Sequence, residues 1–123
     1  MFDHVIIDVA DLERARSFYA RALVPLRYEI VMESDGRYAF GRNGRPDFWI
    51  ADRDTGDASG VHLAFAADDH AAVDAFHREA IAAGARDNGP PGIRPDYHST
   101  YYAAFVLDPH GHNIEAVHHE ITW

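Results

Sequence analysis

The sequence repeats itself. At a constant offset of 58 residues, positions 3–23 lie over 61–81 and pair His4 with His62, Val5 with Leu63, Ile7 with Phe65, Asp11 with Asp69, Phe18 with Phe76 and Leu23 with Ile81. Two copies of one unit are implied. The expectation is a single domain, 1–123, made of modules 1–58 and 59–123. The polar, glycine-bearing stretch from Asp52 to Gly60 joins them.

Each module opens with an alternating strand. Val5, Ile7 and Val9 share one face and His4, Ile6 and Asp8 the other; Val61, Leu63 and Phe65 oppose His62, Ala64 and Ala66. An aspartate then caps a helix, Asp11 before Leu12, Ala15, Phe18, Tyr19 and Ala22, and Asp68 or Asp69 before Val73, Phe76, Ala80 and Ile81, with Gly84 as the stop. Strands follow at Leu26–Met32, Tyr38–Arg42 and Phe48–Ala51, and in the second copy at Tyr101–Leu107 and Asn113–His119. The proline-rich stretch Asn88–Pro95 reads as a loop, and Asp108-Pro109-His110-Gly111 as a type I turn. Each half is thus strand, helix, then strands, an α+β architecture in which the helices cover one face of a cupped mixed sheet.

The opposite sheet face is where chemistry would sit. His4 and His62 occupy equivalent positions on it, and alternation in the last strand sets Glu115 among apolar neighbours, where a carboxylate must be paired, hydrogen-bonded or bound to a cation. Two imidazoles and a carboxylate form the three-ligand set of an open metal site. Hydrogen-bonded sheet histidines and a paired glutamate are the other reading of the same residues.

Composition excludes several function classes. Twenty acidic against 11 basic side chains give a net charge of -9, which repels nucleic acid and anionic membrane alike. There is no cysteine, hence no disulfide framework or thiolate chemistry, as fits a reducing cytoplasm. The N-terminal Met1–Val9 is acidic where a signal peptide is basic, and no apolar run approaches the roughly 20 residues of a membrane span. No glycine-rich phosphate loop or serine nucleophile elbow is present, whereas nine histidines make metal or acid/base chemistry the natural expectation.

Asp3-His4-Val5 with Asp11-Leu12, Val61-His62-Leu63, and the closing Asp108-Pro109-His110-Gly111-His112-Asn113-Ile114-Glu115 resemble the vicinal oxygen chelate superfamily of glyoxalases, extradiol dioxygenases and bleomycin-resistance proteins, over essentially the whole chain. The resemblance implies paired βαβββ modules in a U-shaped cup around a divalent metal (Zn, Fe, Mn, Ni or Co), often within a homodimer whose subunits complete each other's sites. It implies His4, His62 and Glu115 as ligands. Four-ligand glyoxalases carry one more acid in the last strand of the first module. That strand here is Asp47-Phe48-Trp49-Ile50-Ala51, with Trp49 at the ligand position and Asp47 on the same strand face.

Around this set, Glu115, His98 and Tyr102 are the candidate catalytic groups, and Trp49, Arg94 and Tyr101 the candidate substrate contacts. His110 and His112, in a turn and its exit, read as solvated, and His70 and His77 as helix-surface groups. Two functions remain open: a metal-dependent lyase, isomerase or dioxygenase acting on a small oxygen-rich substrate, or a metal-free protein of the bleomycin-resistance type that sequesters a small molecule.

Overall fold

The computed structural model describes residues 2–53 and 60–120; most of the connecting stretch, including the module boundary, lies outside them. In chain order the elements are β1 (Val5–Val9), α1 (Leu12–Ala22), a one-turn 3-10 helix (Val24–Leu26), β2 (Glu29–Ser34), β3 (Arg37–Arg42) and β4 (Arg45–Asp52), then β5 (His62–Ala66), α2 (His70–Ala82), β6 (Arg86–Ile93), β7 (Tyr102–Leu107) and β8 (Asn113–His118). The strands form two four-stranded mixed sheets ordered β1-β4-β3-β2 and β5-β8-β7-β6. In each, the first strand runs parallel to the last and the remaining pairs are antiparallel. The sequence repeat is therefore also a repeat of topology, and the βαβββ expectation describes both halves.

Both helices start where the aspartates place them. The Asp11 carboxylate accepts from the Arg14 N–H at 3.1 Å and that of Asp69 from Ala72 at 2.8 Å, each satisfying a donor that the first helical turn leaves unpaired. Gly84, at φ +110°, takes the left-handed conformation that ends α2. Ala15, Phe18, Tyr19 and Ala22 of α1, and Val73, Phe76 and Ala80 of α2, are buried. Against them pack Ile7, Val9, Phe48 and Ile50 from the first sheet and Phe65, Val106, Ile114 and Ala116 from the second, in one continuous cluster. Phe48 and Phe65 meet edge to face at 5.2 Å, so the helix-covered faces of the two sheets share a core. Burying each such side chain contributes about 1.5–3 kcal/mol. Each sheet turns its other face, hereafter the open face, away from that core.

Two sequence expectations need correction. Asn88–Pro95 is not simply a loop: most of it is β6, the edge strand of the second sheet. An edge position tolerates Pro90 and Pro91, which lack the N–H a central strand must donate, and the pairing with β7 shifts register on either side of Gly89. The second concerns the turn between β7 and β8. Its Gly111 N–H does bond to the Asp108 carbonyl at 3.0 Å, as expected of a β-turn. The turn is nevertheless docked rather than solvated. His110 Nε2 accepts from the Asp11 N–H and His112 Nδ1 from the Val61 N–H, both at 3.1 Å, while His112 Nε2 donates to the Asp8 carbonyl at 3.3 Å. Asp108, buried behind them, accepts from the Tyr19 hydroxyl at 2.5 Å and from the N–H groups of His110 and His112. The two histidines are thus structural ties between modules, supplying partners that backbone groups of β1, α1 and β5 would otherwise lack.

Candidate functional site

Apolar packing alone cannot account for Glu115. It lies in β8 between Ile114 and Ala116, and alternation turns it onto the open face with Ala64 and Phe105, its neighbours in register. Ala103, Phe105 and Val117 form a small apolar cluster there, partly covered by Tyr101. The glutamate is 2% exposed, and a carboxylate so placed destabilises the fold unless both oxygens are satisfied. They are: His62 Nε2 donates to Oε1 at 2.8 Å and the Tyr101 hydroxyl donates to Oε2. The His62 side chain is 54% exposed, so the pair has a buried end and a wet end. Burial first, then the bond to Glu115, hold the Tyr101 phenol well above its ordinary range, and it stays a donor throughout neutral pH. The Tyr97 ring meets Tyr101 edge-on at 5.0 Å and the His119 ring lies parallel to it at 5.7 Å.

Of the residues singled out from sequence, the fold therefore brings together His62, Glu115 and Tyr101. His4 is elsewhere. It precedes β1 on the open face of the first sheet, half exposed, and its Nδ1 donates to the Asp3 carboxylate at 2.7 Å, a bond that lowers the Asp3 pKa. In the neutral imidazole with its proton on Nδ1, Nε2 carries the lone pair. Trp49 shares that face, flanked in register by Ile6 and Ala39. Among the described residues, no three His, Asp or Glu side chains meet closely enough to hold a metal ion. His62 and Glu115 bring two ligand-type groups together, with Nε2 and Oε1 at a hydrogen-bond distance of 2.8 Å.

Three further placements differ from the sequence reading. Tyr102 faces the helices, its hydroxyl donating to Asp74 Oδ1 of α2 at 2.5 Å and its ring stacked on His70 at 3.9 Å; strand parity separates it from Glu115 and gives that contact to Tyr101. His98 is exposed on the segment between β6 and β7, with Nδ1 against Thr100. Asp47 does not share the outlook of Trp49. It is the extra residue of a bulge, since Phe40 pairs with Phe48 but Gly41 with Pro46, and its carboxylate accepts from the Tyr28 hydroxyl at 3.0 Å. Tyr28 in turn packs edge-on against Phe65 of the core. Arg94 lies over the face of the open-face residue Phe105, its guanidinium carbon 5.3 Å from the ring centre.

A model of the glyoxalase/bleomycin resistance protein/dioxygenase superfamily matches residues 1–116. The chain belongs to that superfamily. The crystal structure of a glyoxalase/bleomycin resistance protein from Albidiferax ferrireducens T118 is 32% identical, with a TM-score of 0.83 over 98% of this chain and 99% of that one. A glyoxalase/bleomycin resistance protein/dioxygenase family enzyme from Burkholderia phytofirmans PsJN is similar at 21% identity and TM-score 0.74, covering 96% of this chain and 98% of that one. A lactoylglutathione lyase from Agrobacterium tumefaciens is similar at 21% identity and TM-score 0.71, covering 96% and 92%. These last two bear on the fold alone. No curated protein matches the chain. The two mixed sheets with two helices are the glyoxalase-like α+β fold of this superfamily. No helix among the described residues is long and apolar enough to cross a membrane.

Proposed function

We propose that this superfamily member is a divalent-metal-dependent enzyme of the glyoxalase/dioxygenase type acting on a small oxygen-rich substrate, with the metal held by His62 and Glu115 of one copy and His4 of a second. The observation that carries the reading is the Glu115 carboxylate, sunk among Ala103, Phe105 and Val117 with a half-exposed imidazole at 2.8 Å. Burying a charge there costs stability that apolar packing would avoid, and an imidazole–carboxylate pair with one open side is a donor set for a cation. His4 is the natural third ligand. Its bond to Asp3 leaves Nε2 available, and a carboxylate behind a ligating imidazole fixes its tautomer and raises its basicity.

A bound divalent ion would act as a Lewis acid toward two neighbouring oxygens of the substrate. The remaining roles belong to the chain. Tyr101 keeps Glu115 Oε2 engaged, so that Oε1 is the oxygen turned toward His62 and the opening. Phe105, Val117 and Ala103 give the substrate a dry floor, on which charge interactions are stronger than in water. Trp49 and the exposed Ile6, on the partner's open face, would roof it.

A second reading has its own support: both Glu115 oxygens are already hydrogen-bonded within one chain, as a metal-free binding protein requires. Elemental analysis of untagged protein separates the two. We expect about one divalent ion per chain, lost in His62→Ala and in Glu115→Gln. Metal-free wild-type protein whose melting temperature does not respond to added Zn, Mn, Fe, Ni or Co would leave the sequestering reading standing.

A further inference from the structure

β6 builds a seat for a cation on the open face. Gly89 and Gly92 pair with Phe105 and Ala103 of β7, and the double proline between them falls out of register. Freed from the ladder, the Pro90 carbonyl accepts from Arg94 Nη2 at 2.7 Å and the Gly92 carbonyl accepts from Nη1 at 2.9 Å. The glycines make the space: a Cβ on Gly89 would come within 3.1 Å of Nη2, and one on Gly92 within 3.2 Å of Nη1. The guanidinium then lies on Phe105, whose ring also faces His62 at 6.0 Å and whose backbone is the register partner of Glu115. Among the described residues, no carboxylate forms an ion pair with Arg94. A guanidinium has five N–H groups, of which two are spent on the backbone.

An arginine fixed by backbone carbonyls and an aromatic ring, with Asp87 near enough to feel its charge but no described carboxylate in direct contact, is pre-organised for a planar anion. Arg94 and His62 both lie against the Phe105 ring, 5.3 and 6.0 Å from its centre, so one ligand resting on that ring can meet both. We propose that Arg94 is the carboxylate seat of the substrate site, and that the substrate is a planar acid anion whose carboxylate stands apart from its two vicinal oxygens. The identity of the oxygen-bearing end rests on the metal reading above; the anion seat does not.

The test compares pairs of probes by calorimetry. 3,4-Dihydroxybenzoate and catechol share vicinal hydroxyls but only the first has a carboxylate, and benzoate has the carboxylate alone. In metal-loaded protein, Arg94→Met should weaken 3,4-dihydroxybenzoate at least tenfold and leave catechol within twofold. Gly92→Ala, which keeps the arginine but crowds Nη1, should show a selective loss in the same direction and smaller than that of Arg94→Met. Benzoate binding should depend on Arg94 with or without metal. If wild-type protein holds no metal yet benzoate binding is lost in Arg94→Met, the metal reading fails and the anion seat stands. If Arg94→Met melts at a lower temperature but binds all three probes as wild type does, or if none of the acids binds better than catechol, Arg94 serves only to staple β6 and the proposal is overturned.

Discussion

The Tyr19 hydroxyl is one oxygen in a fully buried ring, and its single bond to Asp108 closes the polar centre of the turn that joins the modules. Tyr19→Phe keeps the ring contacts with Phe18 and Phe48 but leaves Asp108 Oδ2 unpaired, because the N–H groups of His110 and His112 both go to Oδ1. The expected loss is about 2 kcal/mol in chemical denaturation. Tyrosines also set an alkaline limit. Burial, then the bond to Asp47, pushes the Tyr28 hydroxyl up to about 12, and Tyr19 and Tyr101 are raised as well, chiefly by burial. A raised phenol leaves the folded state holding protons that the unfolded chain gives up. The stability these tyrosines contribute is thus fully present below about pH 10 and declines from there through about pH 12. A melting temperature that is flat across that window would contradict this.

At the scale of elements, the legible and illegible parts of the sequence divide by where their signals come from. The helices and β1, β5 and β8 announce themselves through local periodicity and Asp caps, and the alternation of β8 alone was enough to set Glu115 on the face away from the helices. β6 was hidden because glycine and proline report backbone permission, not position; only its place at a sheet edge makes Pro90 and Pro91 tolerable in a strand. Parity around Tyr101 and Tyr102 was ambiguous because Ala103 and Phe105 on one side and Ala104 and Val106 on the other are equally apolar. The bulge that swings Asp47 toward Tyr28 depends on Gly41, where a Cβ would sit 1.8 Å from the Arg45 carbonyl oxygen. Gly41→Ala must therefore pry β3 from β4, and we expect a loss of about 3 kcal/mol. A variant as stable as wild type would show that the bulge is not required.

Among the described residues, the helix-covered faces of the two sheets share one large core, and each sheet has a second face that no helix covers. Ile6 and Met32 of the first sheet stand 45% and 47% exposed, an apolar cost that a second copy would relieve. Light scattering should give twice the 13.8 kDa of a single chain, and Ile6→Glu should lower it toward the monomer. The sequence carried the three proposed ligands but not their distribution over copies, since a single chain cannot report on the symmetry of its assembly. The most direct test mixes two variants. His4→Ala and His62→Ala, refolded separately, should each bind no metal; refolded together, random pairing gives half hybrids with one whole site in two, so about a quarter of the wild-type metal should return. A mixture as empty as its parents, or full loading of His4→Ala alone, would contradict a site shared between copies.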